Sequence, residues 1–335
     1  MKIISQTKSW LQLFRAHTVV LEAPMAILGA AIGLGTFFDP RVGVWAIFGA
    51  FYHLVGYGMN SYVDWVKGYD KDDERKQHHP LNTGDISPDT AKKVIYASTF
   101  GLALFALAIG GFSETAFIFT AIMFASGLTY NFLGKKLTLK PIPISIAHTT
   151  VFLYPYYLYS GEITIYAGAI TIAYFIHHIY QIAVSGDIKD LDQDEASLIK
   201  SMGADVIEEP SRGVKIFLHS TTMLFFAYIL TSIELLFGIG SIIAKSGFGN
   251  VIIPGAIFGA VMLYETDKML TPGKFLRSKR LQHISRREFA GYSMIHVASI
   301  PIIGWKNFGL LIACMVLYLI TVSKFIWGTW ITPDV

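Results

Sequence analysis

Apolar stretches long enough to cross a bilayer recur along the whole chain, at residues 19–38, 42–60, 90–111, 114–133, 142–160, 163–185, 213–238, 249–265, 288–304 and 307–323. A hydrocarbon core of about 30 Å takes about 20 helical residues to span. In lipid every backbone polar group must be paired within the protein, which leaves helices or closed barrels. Unbroken apolar runs of this length are helical and lack the alternating pattern of a barrel strand. The expected fold is therefore all-α, a polytopic transmembrane bundle of nine or ten helices. The count turns on whether FAGYSMIHVASIPIIG (289–304) is a half-span. Composition agrees: 53% of the 335 residues are hydrophobic and 15% are charged, where a soluble domain carries about 25% charged residues.

Ahead of the first stretch, KIISQTKSWLQLFRAH mixes Lys2, Lys8 and Arg15 with Ile3, Ile4, Trp10, Leu11, Leu13 and Phe14. It lacks a small-residue cleavage site, so residues 1–18 read as an interfacial amphipathic helix and residues 1–335 as one integral membrane domain. With the loops 61–89, 134–141, 186–212 and 266–287 on one side, every Lys and Arg except Arg41, Lys245 and Lys306 falls there or at its helix ends. The positive-inside rule makes that side cytoplasmic. Cys314 is the only cysteine and can form no internal disulfide.

Two of these loops carry clustered acids. In NSYVDWVKGYDKDD, Asn60 and Asp64 are four apart and share a helix face; Asp70 follows after Gly68 has let the chain turn, and Asp72 and Asp73 extend the cluster. In GDIKDLDQDEASL, the spacing of Asp187, Asp190 and Asp194 puts three carboxylates on one helical stripe, with Asp192 and Glu195 away from it. Like charges so close repel, by up to about 4 kcal/mol for a pair 4 Å apart at an effective dielectric near 20. A hard divalent cation would offset this, and Mg²⁺ is typically held by one or two carboxylates together with substrate phosphate oxygens. Acids at the end of a membrane-length segment would let Mg²⁺ hold a diphosphate at the lipid–water boundary while an attached lipid tail stays dry. A solvated acidic loop without chemistry is the plain alternative.

The paired motifs, Asn60-x3-Asp64-x5-Asp70 and Asp187-x2-Asp190-x3-Asp194, resemble the two aspartate-rich motifs of the UbiA superfamily of intramembrane prenyltransferases. HHPLNTGDIS (78–87) and LTYNFLGKKLTLK (128–140) are similar to further family segments, and Arg15 sits where the family often has an arginine. The resemblance covers about residues 12 to 240. Gly68 stands where the common first motif has its third acid, and this form looks most like members that prenylate dihydroxynaphthoate on the way to menaquinone. His79 takes the place of a frequent arginine, and Gly186 that of a basic residue, so two fixed positive charges are missing. The resemblance implies a nine-helix fold with a central cavity open to the cytoplasm, Mg²⁺ between the motifs, and prenyl transfer from a polyprenyl diphosphate to an aromatic or lipid-like acceptor, a quinone precursor first in line. On this reading Asn60, Asp64, Asp70, Asp187, Asp190 and Asp194 form the metal site, with Asp64 and Asp190 catalytic. Lys67, Tyr130, Lys135, Lys136 and Lys189 are diphosphate candidates, or else orientation anchors.

Tyr154, Tyr156, Tyr157, Tyr159 and Tyr166 straddle the outer boundary and read as an interfacial belt, while Tyr174, His177 and Tyr180 lie deeper. His53, His148 and His177 within apolar stretches are functional candidates or satisfied inter-helix hydrogen bonds. The basic loop 266–287, with Lys268, Lys274, Arg277, Lys279, Arg280, Arg286 and Arg287, suits anionic lipid head groups. No basic face interleaved with aromatics points to nucleic acid. Two rival readings stay open: a UbiA-type terpene cyclase that needs no acceptor, and a cation-binding membrane transporter.

Overall fold

The computed structural model describes residues 2–71, 76–189, 191, 197–209, 214–247, 249 and 251–328. They fall into two compact units, one of Met1–Phe132, Thr150–Gly161 and Trp305–Val335, the other of Leu133–Thr149 and Glu162–Gly304. In chain order the helices are α1 (Lys2–Leu13), α2 (Ala23–Leu34), α3 (Pro40–Val66), α4 (Pro88–Ile109), α5 (Glu114–Leu133), α6 (Pro141–Ser160), α7 (Ile165–Tyr180), α8 (Asp187–Lys189), α9 (Leu198–Ser201), α10 (Thr221–Ser246), α11 (Ile252–Leu270), α12 (Arg277–Val297) and α13 (Ile300–Trp327). Three short strands, β1 (Asp205–Glu209), β2 (Val214–Leu218) and β3 (Gly273–Lys274), form an antiparallel sheet in that order.

In the first unit, helix starts are written in the sequence. Pro40 and Pro88 open α3 and α4, and the side chains of Asp39 and Ser87 accept from Arg41 N and Thr90 N. Close packing of α2 on α6 requires glycine: a Cβ on Gly29 would lie 2.2 Å from the Phe152 carbonyl oxygen. Leu13 of α1 is buried beside Met59, Tyr62 and Val63 of α3, and Phe14 fills the space a Cβ on Gly58 would need. The amphipathic start of the chain is thus anchored on the helix that carries Asn60 and Asp64. Trp45 is fully buried and donates to the Tyr159 hydroxyl at 3.0 Å.

The second unit is built on α7, α10, α11 and α12, with the sheet at its edge. Arg280 joins these parts: its guanidinium donates to the carbonyls of Met269 and Thr271 at the end of α11 and lies 4.1 Å from the Phe217 ring centroid on β2. A cation here meets the carbonyls that a helix C-terminus leaves unpaired.

Seven helices among the described residues are long and apolar enough to cross a membrane: Ala16–Leu34, Pro40–Val66, Pro88–Ile109, Glu114–Leu133, Ile165–Lys189, Thr221–Ser246 and Ile300–Trp327. Of the other expected stretches, 142–160 lies within α6, 249–265 overlaps α11 from Ile252 onward, and 288–304 runs from α12 across a turn at 298–299 into α13. They are less apolar: α6 holds Tyr154, Tyr156, Tyr157 and Tyr159, the last turns of α11 hold Glu265, Asp267 and Lys268, and α12 opens with Arg277, Lys279 and Arg280.

Several expectations are corrected. An all-α chain leaves out the sheet, and the stretch placed at 213–238 begins with strand β2, the helix starting only at Thr221 behind its cap Ser220. Residues 277–287 are helix rather than loop, and Arg280 and Arg287 are buried in it. The tyrosine belt dissolves in part: Tyr154, Tyr156 and Tyr166 are buried in protein, with Tyr154 donating to Ala106 O at 2.8 Å.

Candidate active site

The first acid motif straddles the end of α3. Asn60 and Asp64 lie one turn apart on the helix, Asn60 half-buried and Asp64 buried. The helix stops in a Schellman turn: Tyr69 N donates to Asp64 O and Gly68 N to Trp65 O, both at 3.0 Å, with Gly68 at φ 87°. This reversal buries Asp70 to 2% exposure. Its Oδ1 receives Lys76 Nζ at 2.6 Å, while its Oδ2 is buried without a hydrogen-bond partner among the described residues. Asn82 braces the turn, accepting from Trp65 Nε1 and donating to the carbonyls of Asp70 and Lys76, each at 2.9 Å. His79 sits beside this turn; burial, and the nearby cations Arg15, Lys76 and His78, outweigh the pull of Asp70 and hold its pKa down at about 4.

The second motif is reached through an irregular helix. After Tyr180 the chain runs as a π-helix, Gln181–Gly186, before Asp187. Asp187 is buried; its Oδ1 pairs with Lys140 Nζ at 3.0 Å, and its Oδ2 accepts from the Ser197 hydroxyl at 2.9 Å and Leu198 N at 2.8 Å. Each carboxylate oxygen has two lone pairs, so the Oδ1 paired with Lys140 can still take a cation. Asp190 and Asp194 lie outside the described residues, as do Asp72, Asp73, Asp192 and Glu195. Among the described residues no group of three or more His, Cys, Asp or Glu side chains is arranged to hold a metal.

The diphosphate candidates differ in their local settings. Lys67 donates to Phe132 O, Lys136 is exposed, Tyr130 is half-buried, and the side chain of Lys135 lies outside the described residues. Lys189 is half-buried and its carbonyl accepts from Arg277 Nε at 3.3 Å. Arg15 adopts a left-handed backbone, φ 47°, with its guanidinium 5.4 Å from the Tyr57 ring centroid. Lys76 and Lys140, which meet Asp70 and Asp187, are cations that the spacing argument passed over. Lys140 closes the segment LTYNFLGKKLTLK (128–140).

The histidines resolve into ion pairs and hydrogen bonds. His53 Nδ1 pairs with Glu22 and its Nε2 lies 3.0 Å from Thr18 Oγ1. His178 joins Tyr174 O at 2.7 Å and the Tyr292 hydroxyl at 3.1 Å, and the His148 ring lies 4.8 Å from it. His177 belongs to a buried network with Glu234, Arg287 and Glu288 that the sequence reading missed.

The sequence matches the UbiA prenyltransferase family over residues 23–276. The chain belongs to this family. Its fold is shared with a solved structure of digeranylgeranylglyceryl phosphate synthase, at 18% identity over 96% of this chain and 99% of the other, with a TM-score of 0.59. A UbiA homologue from Archaeoglobus fulgidus bound to GPP and Mg²⁺ is 16% identical over 88% of this chain and 99% of the other, TM-score 0.59. A UbiA homologue from Aeropyrum pernix K1, in an apo structure, is 15% identical over 83% and 95%, TM-score 0.61. No curated protein matches the sequence. The protein is thus a UbiA-family prenyltransferase, an integral multi-pass membrane protein of mostly helical fold.

Its departures from the common UbiA pattern have local causes. Gly68 provides the left-handed turn that ends α3, so an acid four residues after Asp64 would lie in the turn and not on the helix face. The acid instead arrives at Asp70, beyond the turn. His79, uncharged at neutral pH, supplies no fixed positive charge where an arginine is frequent; Lys76 holds the charge beside Asp70.

Proposed function

We propose that this UbiA member transfers a prenyl group from a polyprenyl diphosphate to an aromatic or lipid-like acceptor, a quinone precursor first in line, in a Mg²⁺-dependent reaction at the cytoplasmic side. The observation that carries the reading is Asp70: a buried carboxylate with an oxygen unpartnered among the described residues, in the acid motif of a chain whose A. fulgidus relative is bound to GPP and Mg²⁺. Lys76 meets one oxygen of this carboxylate; leaving the other buried without a partner is costly, and a bound cation would remove that cost.

Asn60, Asp64, Asp70, Asp187, Asp190 and Asp194 are the residues that would hold Mg²⁺. Bound there, it stabilises the negative charge that develops on the diphosphate as the allylic C–O bond breaks. Lys67, Tyr130, Lys135, Lys136 and Lys189, together with Lys76 and Lys140, donate to phosphate oxygens and orient the head group. The apolar helices keep water from the allylic carbon, which would otherwise be quenched to alcohol. The acceptor's nucleophile forms the new bond to that carbon and loses its proton, and the diphosphate leaves with the electron pair of the broken C–O bond.

The test is incubation of purified protein with a panel of prenyl diphosphates and acceptors, with and without Mg²⁺. Prenylated acceptor and diphosphate should form together only when Mg²⁺ is present. Asp64→Ala and Asp190→Ala should each lower turnover at least about 100-fold while the protein stays folded. Near-normal turnover by either variant overturns the site assignment. Hydrocarbon or alcohol formed without any acceptor would replace the transferase by a cyclase, and cation flux without turnover by a transporter.

A further inference from the structure

Four charged side chains are buried together in the second unit. His177 on α7 lies 2.6 Å from Glu234 Oε1 on α10 through its Nδ1 and 3.1 Å from Glu288 Oε2 on α12 through its Nε2. Arg287 pairs with the second oxygen of Glu234, lies 3.6 Å from Glu288 Oε1, and sits over the Tyr180 ring at 3.5 Å from its centroid. His177, Glu234 and Arg287 are 0% exposed and Glu288 is 8%. The close approach of α12 to α7 depends on Gly291, where a Cβ would lie 2.6 Å from His177.

A hydrogen bond ties this network to the segment that leads into the second acid motif. Ser185, inside the π-helical segment Gln181–Gly186, donates its hydroxyl to Glu288 Oε1 at 2.7 Å. Glu288 therefore holds the chain at two points, His177 before the π-segment and Ser185 within it, two residues ahead of Asp187. A π-helix shifts the register of everything that follows it relative to an α-helix, and is uncommon without support. Asp187 itself has Lys140, Ser197 and Leu198 as partners.

We propose that Glu288 is a positioning residue for the second acid motif: with Ser185 as its contact, it locks the π-helical register of 181–186 and so sets where Asp187 stands. The proposal rests on the metal and diphosphate reading above and deepens it. Glu288 touches no substrate; it acts through the backbone that carries the acids. His177 and Arg287, 3.1 and 3.6 Å from its carboxylate oxygens, hold the Glu288 side chain in place.

The experiment uses the full-length protein in detergent or lipid, with Mn²⁺ as the probe, titrated in the presence of a prenyl diphosphate and read by electron paramagnetic resonance. Hydrogen exchange of peptides covering 181–189 is followed in parallel. Ser185→Ala and Glu288→Gln should each weaken Mn²⁺ binding about tenfold or more and lose exchange protection in 181–189. Tyr166→Phe is the matched control, because it removes a buried hydrogen bond of α7 to Ala298 O away from the π-segment; its Mn²⁺ affinity should equal that of the unaltered protein. Should Glu288→Gln fail to fold, Ser185→Ala alone decides. Unchanged Mn²⁺ binding in Ser185→Ala, or equal losses in Ser185→Ala and Tyr166→Phe, overturns the positioning role while leaving the metal reading intact. Failure of the unaltered protein to bind Mn²⁺ overturns both.

Discussion

Gly68 and Asp70 together show how one residue's backbone decides where another's chemistry can stand. A side chain at Gly68 would have to adopt φ 87°, a left-handed conformation that costs an ordinary residue about 1–2 kcal/mol. The third acid of the motif is therefore delivered by the turn. Asp70→Ala should lower turnover at least about 100-fold, and adding Gly68→Asp to it, which restores the common spacing, should recover none of the loss; steady-state assays of the single and double variants decide this. His79 gives a second residue-scale expectation. Its pKa in the folded protein is about 4 against 6.5 for a free histidine, so between those values the unfolded chain binds a proton that the folded chain does not. The stability tied to neutral His79 is complete above pH 6.5 and declines as the pH falls toward 4. Thermal melts at pH 7 and pH 5 should show a drop that His79→Asn reduces, since an asparagine oxygen can still accept from Leu81 N in place of the imidazole Nδ1. An identical drop in that variant would assign the pH dependence to other groups.

At the scale of elements, α12 is where the sequence was least legible. The apolar helices could be read directly, because lipid as solvent leaves only long unbroken apolar runs, and Pro40, Pro88, Asp39 and Ser87 mark helix starts by local rules. The helical part of the first acid motif was legible for a similar reason: Asn60 and Asp64 need only a helix to share a face. Arg287 was different. In sequence it is one more cation in a basic run; its buried partners Glu234 and His177 are 53 and 110 positions away, and nothing local announces them. Strand β2 was hidden for a related reason, since Val214–Leu218 is as apolar as the helix that follows and its partners β1 and β3 lie on either side in sequence. The buried network makes a sharp prediction about α12. Arg287→Met leaves Glu234 and Glu288 without their guanidinium and should cost about 3–5 kcal/mol of stability. Converting Glu234 as well, in Glu234→Leu/Arg287→Met, removes one of the stranded charges and should recover part of that loss. Denaturant titration of the two variants checks this; equal stability of single and double variants would mean that the pair is not coupled.

For the whole molecule, the first motif belongs to one compact unit and the second to the other. If both serve one Mg²⁺-bound diphosphate, ligand binding must register in each unit, because a ligand stabilises every element whose native placement it needs. A non-reacting prenyl thiodiphosphate with Mg²⁺, at about 100 times its Kd, should raise folding stability by about 2.7 kcal/mol. Excess EDTA should remove the gain, as should Asp64→Ala. The decisive measurement is where the gain appears. Hydrogen exchange should slow in peptides covering 60–71 and also in peptides covering 181–189, since acids in both are asked to hold the same head group. Protection confined to the first region would leave Asp187 in the role its present partners already describe, a buried cap for Ser197 and Leu198 paired with Lys140, and would make the first motif the seat of the metal on its own.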